Sequence, residues 1–418
     1  MKIAYMTQWF APEPHVKGLP FAQALHDNGC DVRVITGFPN YPGGKIYSGY
    51  KVRLFQREVM GDVTVDRVPL YPSHDRSRIG RILNYVSFAC SLFIYSLFKL
   101  DRRDAIYIHF PPVTASVAGV CIGFLRRCPV IVEVQDLWPD TLAATGMVSA
   151  GWMLSLVGYA CRFVYWRATR IIVQSHGFKR ALVARGVPEG KIDVILNWGN
   201  ETGRGGASGK LDLTPYQLAG HFNAVYAGNL GLAQGLDVIL DAAKLTAAVD
   251  PTIQYNVVGD GPDGDRLRRR VADEGITNLR IFPRIDMQEV NGLLNAADVL
   301  LVTLKADPLF DITIPSKTQA YLAVGKPMIM SCKGEAAELV VAAGAGVSVP
   351  PGDAEALSKA ILHLAALPKD DLADMGRTGK DYYDRNLAFS VGIKKTLISL
   401  SRATTSDFEP DAVRRIAS

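Results

Sequence analysis

Short apolar runs alternate with longer amphipathic stretches along most of the chain, the pattern of strands joined by helices. Residues 3–7 (IAYMT) predict a strand, a loop with Pro12, Pro14 and Gly18 follows, and FAQALHDNG predicts a helix before the strand at 32–37. The loop at 38–51 is rich in Gly, Pro and Tyr. Strands are predicted at 63–71, 105–110, 129–134, 170–175 and 191–197, with the small-residue helix VTASVAGVCIGFL and a helix starting at His176 among the connections. At 199–210 (GNETGRGGASGK) the pattern stops, as in a linker. It restarts with strands at 222–228 and 253–259, then LRIF and VLLVTL, alternating with the helices GLDVILDAAKLTAA, DRLRRRVADEG and VNGLLNAA. Residues 311–338 predict a helix from Pro315 to Ala323 with Pro315 at its first position, a Gly325-Lys326-Pro327 break, a strand from Met328 to Ser331, and a second helix opening at Gly334. GVSVPPGDAEALSKAILHLAAL supplies a last strand, turn and helix.

Strands apolar on both faces and joined by helices make doubly wound, mainly parallel sheets. The pattern therefore predicts an α/β chain of two Rossmann-like domains. Residues 1–200 form the first, with six or seven parallel strands, 201–214 the linker, and 215–385 the second; 386–418 are a helix returning towards the first domain, and a tail. In such sheets ligands lie at the carboxyl ends of the strands, here in a cleft expected between the two domains.

Two segments depart from this pattern. Seventeen residues from Ile82 to Phe98 carry no charge, with Arg76, Arg78 and Arg81 before them and Lys99, Arg102 and Arg103 after. A core helix, a helix lying in a membrane surface and a membrane span all fit; the stretch is short of the ~20 residues a span needs. Residues 152–168 form a second apolar, aromatic helix with Arg162, Arg167 and Arg170 on or beside it. Residues 1–200 hold 23 Lys and Arg against 14 Asp and Glu, net +9, and the rest of the chain is net −4. Basic flanks and a basic first half favour an anionic membrane surface or acceptor. No nucleic-acid-binding pattern accompanies the charge. The six cysteines form no CxxC pair, and MKIAYMTQWF runs straight into a strand without a leader pattern, so the expectation is a reduced cytoplasmic protein.

The candidate chemistry starts at 311–338, where two helix N-termini lie beside Lys317 and Lys326. Such ends offer unpaired N–H groups and a partial positive charge, which suits a diphosphate. GDGPDG (259–264) matches G-x-G-x-x-G, but the next strand ends in Phe282-Pro283-Arg284 with no acid to hold a ribose, against a dinucleotide. Asp263-x-Asp265 reads as a metal-binding pair or as helix capping. His109 and Asp136 end adjacent strands: His109 is either a satisfied loop histidine or a group facing the cleft, Asp136 either a turn cap or a general base.

Together KGLPFAQALHDNGCDVRVITGFPNYPGGKIYSGY, HFPP, VQDLWPDTLAATGM, SHGFKRALVARGVPEGKIDVILNW, AGNLGLAQGLD, VGDGP, IPSKTQAYLAVGKP and GVSVPPGDAEAL resemble the GT-B-fold glycosyltransferases of retaining family 4. The likeness is to the bacterial O-antigen, capsule and exopolysaccharide branch that includes the fucosamine transferases. It implies two Rossmann-like domains across a cleft, and transfer of an N-acetylated amino sugar from a UDP-sugar with retention and without a metal or other cofactor. The implied acceptor is an undecaprenyl-diphosphate-linked saccharide, bound by the N-terminal domain at the cytoplasmic face of the membrane; the C-terminal domain takes the nucleotide. It implies that His109 lies near the donor sugar and acceptor, and His109 and Asp136 are the expected catalytic residues. It implies donor contacts from Gly18 and Glu338; the expected donor site adds Gly228, Asn229, Gly231, Gly259, Asp260, Gly261, Arg284, Pro315, Ser316, Lys317 and Glu335.

Three departures from the family's pattern stand out. Its paired glutamates fall at Ile312 and Ala320; its Arg and Lys beside the diphosphate fall at Asn229 and Gln234; and Gln135 stands where many relatives have His. Lys317 is the expected replacement for the missing cations. A non-hydrolysing UDP-sugar epimerase and a non-catalytic sugar-nucleotide-binding scaffold are the competing functions.

Overall fold

Valine, isoleucine and tyrosine fill strands that pack on both faces, and these strands form two separate sheets. The structure is a computed structural model describing residues 1–73, 78–144, 147–148, 150–199 and 211–404. Arg76, most of the predicted linker and the tail beyond Thr404 lie outside the described residues. The chain divides into one unit of residues 1–195 plus the chain from Gly392, and a second spanning Leu196–Val391.

In the first unit the strands are β1 (Lys2–Met6), β2 (Asp31–Gly37), β3 (Gln56–Met60), β4 (Val63–Val68), β5 (Ala105–Phe110), β6 (Val130–Val134), β7 (Arg170–Val173) and β8 (Ile192–Val194), in the order β3-β4-β2-β1-β5-β6-β7-β8. Among the described residues seven of these strands run parallel, within the expected six or seven, and the eighth, β3, is not among the predicted strands. That strand is antiparallel to β4 and sits at the sheet edge, so its sequence QREVM is polar and half-exposed rather than apolar. The helices are α1 (Leu19–Asp27), α2 (Arg78–Phe98), α3 (Val113–Arg126), α4 (Asp140–Ala144), α5 (Gly151–Arg167) and α6 (His176–Ala184). Strand order reverses between β1 and β5, the place where an α/β sheet opens a crevice at its carboxyl edge.

The second unit holds six parallel strands, β9 (Phe222–Ala227), β10 (Ile253–Val258), β11 (Leu279–Phe282), β12 (Val299–Thr303), β13 (Met328–Ser331) and β14 (Gly346–Val349), in the order β11-β10-β9-β12-β13-β14. Its helices are α7 (Asp237–Ala247), α8 (Gly264–Asp273), α9 (Met287–Ala296), α10 (Pro308–Asp311), α11 (Ser316–Val324), α12 (Glu335–Ala342), α13 (Ala354–Ala365) and α14 (Lys369–Asn386). Two apolar cores, one around Tyr255, Leu267 and Ile361 and one around Leu300, Met330 and Tyr383, cover the two faces of the sheet. Helix α15 (Phe389–Ala403) carries the chain into the first unit, where Ser399 donates to Asp193 at 2.7 Å.

Helix α2 is buried along one face only. Asn84, Phe88, Leu92 and Tyr95 turn inward, while Ile79, Leu83, Val86, Ile94 and Phe98 are exposed. The polar residues that interrupt the apolar run are on the inner face: Asn84 bonds Gln8 at 2.5 Å and the Tyr71 carbonyl at 2.7 Å, and the Tyr95 hydroxyl donates to Asp66 at 2.5 Å. Helices α3 and α5 continue this surface, exposing Phe124, Leu125, Trp152, Leu156, Tyr159 and Trp166. A plain core helix would not leave such a face uncovered.

Candidate active site

Parallel register places the N-terminal cluster. His109 on β5 pairs with Glu133 on β6, and Tyr5 on β1 with Tyr107 on β5, so alternate residues of three neighbouring strands share a face. Glu133 is completely buried there and gathers four donors. Tyr107 donates to Oε2 at 2.8 Å, Gln135 to Oε1 at 2.7 Å, Lys17 forms an ion pair with Oε1, and His109 Nδ1 lies 3.4 Å from Oε2. Burial alone would push the Glu133 carboxyl up; Lys17 and His109 outweigh it and hold the group well below the usual carboxylate range. Gln135 closes this cage.

The loop between β1 and α1 supplies the rest. His15 Nε2 is 3.1 Å from His109 Nε2, and burial with the neighbouring His109 pushes His15 down to about 3. Glu13 accepts from the backbone N–H of Phe10 at 3.1 Å and of Asn40 and Tyr41 at 2.7 Å each, tying this loop to the one after β2. Gly18 caps α1, with its N–H on the His15 carbonyl at 3.2 Å. Asp136 lies two residues beyond β6, half-buried, and burial pushes its carboxyl up. The structure thus brings His109, Asp136 and the Gly18 loop to one edge of the first sheet. His15, Lys17, Glu13 and Glu133 escaped the sequence reading; a lone acid inside VIVEV was the signal for Glu133, and nothing local marked the others.

In the second unit the predicted donor residues follow β9, β10, β11 and β12, and open α12. The loops after β9 and β10 touch directly: a Cβ at Gly259 would stand 1.8 Å from the Gly228 carbonyl oxygen, and one at Gly261 2.5 Å from that of Leu230. Gly259 is glycine for that reason. Asn229 and Gly231 belong to the same turn, and Asp260 accepts from the Gly261 N–H at 2.8 Å. Helix α11 is pinned to the end of β9 by Tyr321, whose hydroxyl accepts from Ala227 N at 2.8 Å and donates to Ala227 O at 3.0 Å. Lys317, one turn earlier on α11, is thereby laid over the glycine loop. Its ammonium is 3.8 Å from the Tyr226 ring centre and donates to Gln234 at 2.9 Å. Burial drives it down to about 7, and no carboxylate among the described residues forms an ion pair with it.

Pro315 precedes α11 as its cap rather than forming its first residue, because its ψ of 139° is extended; Ser316 opens the helix. Gly334, with φ of 77°, caps α12, and a Cβ there would lie 1.9 Å from the Asp311 carbonyl oxygen. Glu335 and Glu338 stand in the first turn of α12, Glu338 exposed. Arg284 is exposed, and no hydrogen bond or ion pair among the described residues joins it to Lys317. Asp263 makes no capping bond to α8; Arg266 holds it at 2.7 and 2.8 Å, and Arg268 takes Asp265 at 3.1 Å, so arginines engage both carboxylates of that pair.

Two doubly wound units, each with its strands' carboxyl ends carrying the candidate residues, are the architecture of a GT-B-fold glycosyltransferase. Residues 19–198 match the family model described as a Glycosyl transferase 4-like domain and residues 221–366 the one described as Glycosyl transferases group 1, so the protein is a transferase enzyme. It is 26% identical over 377 residues to WcaI of Escherichia coli (strain K12), which carries the name of a colanic acid biosynthesis glycosyl transferase, covering 87% of this chain and 90% of that one. WbjE of Pseudomonas aeruginosa, named as a glycosyltransferase, is 24% identical, covering 78% and 81%. Among solved structures, HepE of Anabaena in complex with UDP-glucose has a TM-score of 0.67 at 16% identity, covering 96% of this chain and 100% of that one. A UDP-forming trehalose-phosphate synthase of Burkholderia xenovorans has a TM-score of 0.71 at 13% identity, covering 97% and 99%.

Proposed function

We propose that the enzyme moves an N-acetylated amino sugar from a UDP-sugar to a lipid-linked saccharide during surface polysaccharide synthesis, with retention at the anomeric carbon. The observation that carries the donor side is Lys317, a cation over a glycine loop and without a carboxylate to neutralise it among the described residues. A diphosphate supplies that charge, and the N-termini of α11 and α12 add N–H donors to it. In this reading the protein's own cation and helix ends serve the diphosphate, without a metal. The description of HepE with UDP-glucose, on the same fold, supports a UDP-sugar, and the name of WcaI supports exopolysaccharide assembly.

The acceptor side belongs to the first unit, with His109 and Asp136 as the groups beside the reacting sugar. The exposed apolar face of α2, α3 and α5 supports peripheral attachment to the cytoplasmic side of the membrane. Arginines accompany its aromatic residues: Arg162 lies 4.3 Å from the Tyr159 ring and Arg167 4.4 Å from that of Phe124. Apolar rings with adjacent cations suit an anionic lipid interface. A span would have to break the bonds from Asn84 and Tyr95 to the domain.

Purified enzyme incubated with bacterial membranes and a panel of UDP-sugars, followed by mass spectrometry of the lipids, tests the proposal. One sugar should appear on lipid, and the anomeric configuration of the new linkage should equal that of the donor. Interconversion of free UDP-sugars, the outcome for an epimerase, or binding without turnover, the outcome for a scaffold, would overturn it.

A further inference from the structure

The four donors around Glu133 fix more than a buried charge. An ionised carboxylate can only accept hydrogen bonds, so His109 Nδ1, which faces Oε2 at 3.4 Å, carries a hydrogen. Lys17 forms the ion pair with Glu133, and a neutral ring of this tautomer bears its lone pair on Nε2. His15 Nε2, 3.1 Å from that lone pair, is then the donor. The same carboxylate therefore holds the loop through Lys17 and the histidine ring through Nδ1.

We propose that Glu133 is a positioning residue for glycosyl transfer. It keeps His109 in the Nδ1–H form, so that the Nε2 lone pair is presented to a sugar hydroxyl at the place the His15 N–H takes here. The proposal rests on His109 belonging to the transfer site, but the tautomer it requires can be measured without any substrate. If Glu133 merely neutralised Lys17, the tautomer of His109 would not depend on it.

The test is nitrogen NMR of protein labelled with ¹⁵N-histidine. The chain has seven histidines, and the His109 resonances are those lost in His109→Gln. In the wild type, His109 should show a protonated Nδ1 and a bare Nε2. In Glu133→Gln the carboxamide can donate to Nδ1, so the Nε2–H form should gain population. The turnover number should then fall by about 10²-fold, with the donor KM changed by roughly twofold or less. Because Gln beside a buried Lys17 can impair folding, the Lys17→Met/Glu133→Gln double variant removes both charges and should show the same change of tautomer.

A wild-type His109 protonated on Nε2, or on both nitrogens, overturns the proposal. So does a tautomer unchanged in both variants, or one that changes without loss of turnover. Because the spectra need no donor, a wild type with the expected tautomer that transfers no sugar to lipid instead counts against the function proposed above.

Discussion

Lys317 Nζ donates to Gln234 Oε1 at 2.9 Å, joining the first turn of α11 to the glycine loop after β9. Gln234 stands where the family resemblance puts a lysine, and the ammonium reaches the same loop from a helix more than eighty residues further along the chain. Burial holds this lysine down to about 7. A diphosphate favours the charged form, so above pH 7 donor binding must take up a proton. UDP affinity should weaken by up to roughly tenfold per unit above about pH 7. Calorimetry with UDP between about pH 6 and 9 checks this. In Lys317→Met the pH dependence should vanish and affinity should drop by about 10 to 10²-fold.

The same substitution should move stability the other way. The unfolded lysine holds its proton to a higher pH than the folded one, so the folded state carries the full penalty below about pH 7, and the penalty is relieved progressively as pH rises from there to the ordinary lysine value of 10.5. Lys317→Met removes it. Melting temperatures near neutral pH should rise for the variant, and the advantage should shrink in more alkaline buffer. An equal melting temperature at every pH would mean that the ammonium is not desolvated at this site.

Contact between the two glycine loops predicts a steric result. Gly259→Ala places a methyl 1.8 Å from the Gly228 carbonyl oxygen, and only backbone movement can relieve it. Forcing an extra carbon into a packed site costs about 1–3 kcal/mol. Urea melts should show that loss, and UDP affinity should fall with it because the loop under Lys317 is displaced.

The two sheets and the place of most candidate residues were legible because apolar strands and amphipathic helices write their period into the chain. Edge strand β3 was not, since an edge exposes polar groups and its sequence reads as loop. Helix α2 stayed ambiguous for a different reason. Asn84 and Tyr95 look like interruptions of a lipid-facing run, yet they face the domain and bond Gln8 and Asp66. Glu133, Lys17 and His15 meet only through strand register and a loop, so no local spacing announces them. Lys317 was legible as a charge near a helix end, but its Gln234 partner is a tertiary fact.

Glu13 should prove a structural anchor for the loop that carries His15, Lys17 and Gly18. Its two oxygens accept three backbone N–H groups, from Phe10, Asn40 and Tyr41. In Glu13→Gln the amide nitrogen would meet one of these donors with a donor of its own. Leaving a buried N–H unsatisfied costs about 1–3 kcal/mol. Hydrogen exchange should quicken at Phe10 or at Asn40 and Tyr41, while amides of the second unit keep their protection. Uniform loss of protection would show that the carboxylate does not act locally.

The apolar face of α2, α3 and α5 yields a prediction that separates lipid contact from folding. Trp152 and Trp166 are each 71% exposed, so replacing them removes little of the protein's own packing. Each indole transferred into a lipid interface buries about 150–250 Å². At roughly 25 cal/mol per Å² that is a few kcal/mol per residue before the cost of ordering. Trp152→Ser/Trp166→Ser should therefore weaken binding to phosphatidylglycerol vesicles by at least about 10²-fold in flotation assays, with the melting temperature unchanged. Arg162→Gln/Arg167→Gln should weaken binding to the anionic vesicles and reduce its salt sensitivity, since only the charge attraction is screened. Neutral phosphatidylcholine vesicles should respond to the tryptophan pair and not to the arginine pair. If neither pair changes flotation, this face does not meet lipid and the acceptor must be reached another way.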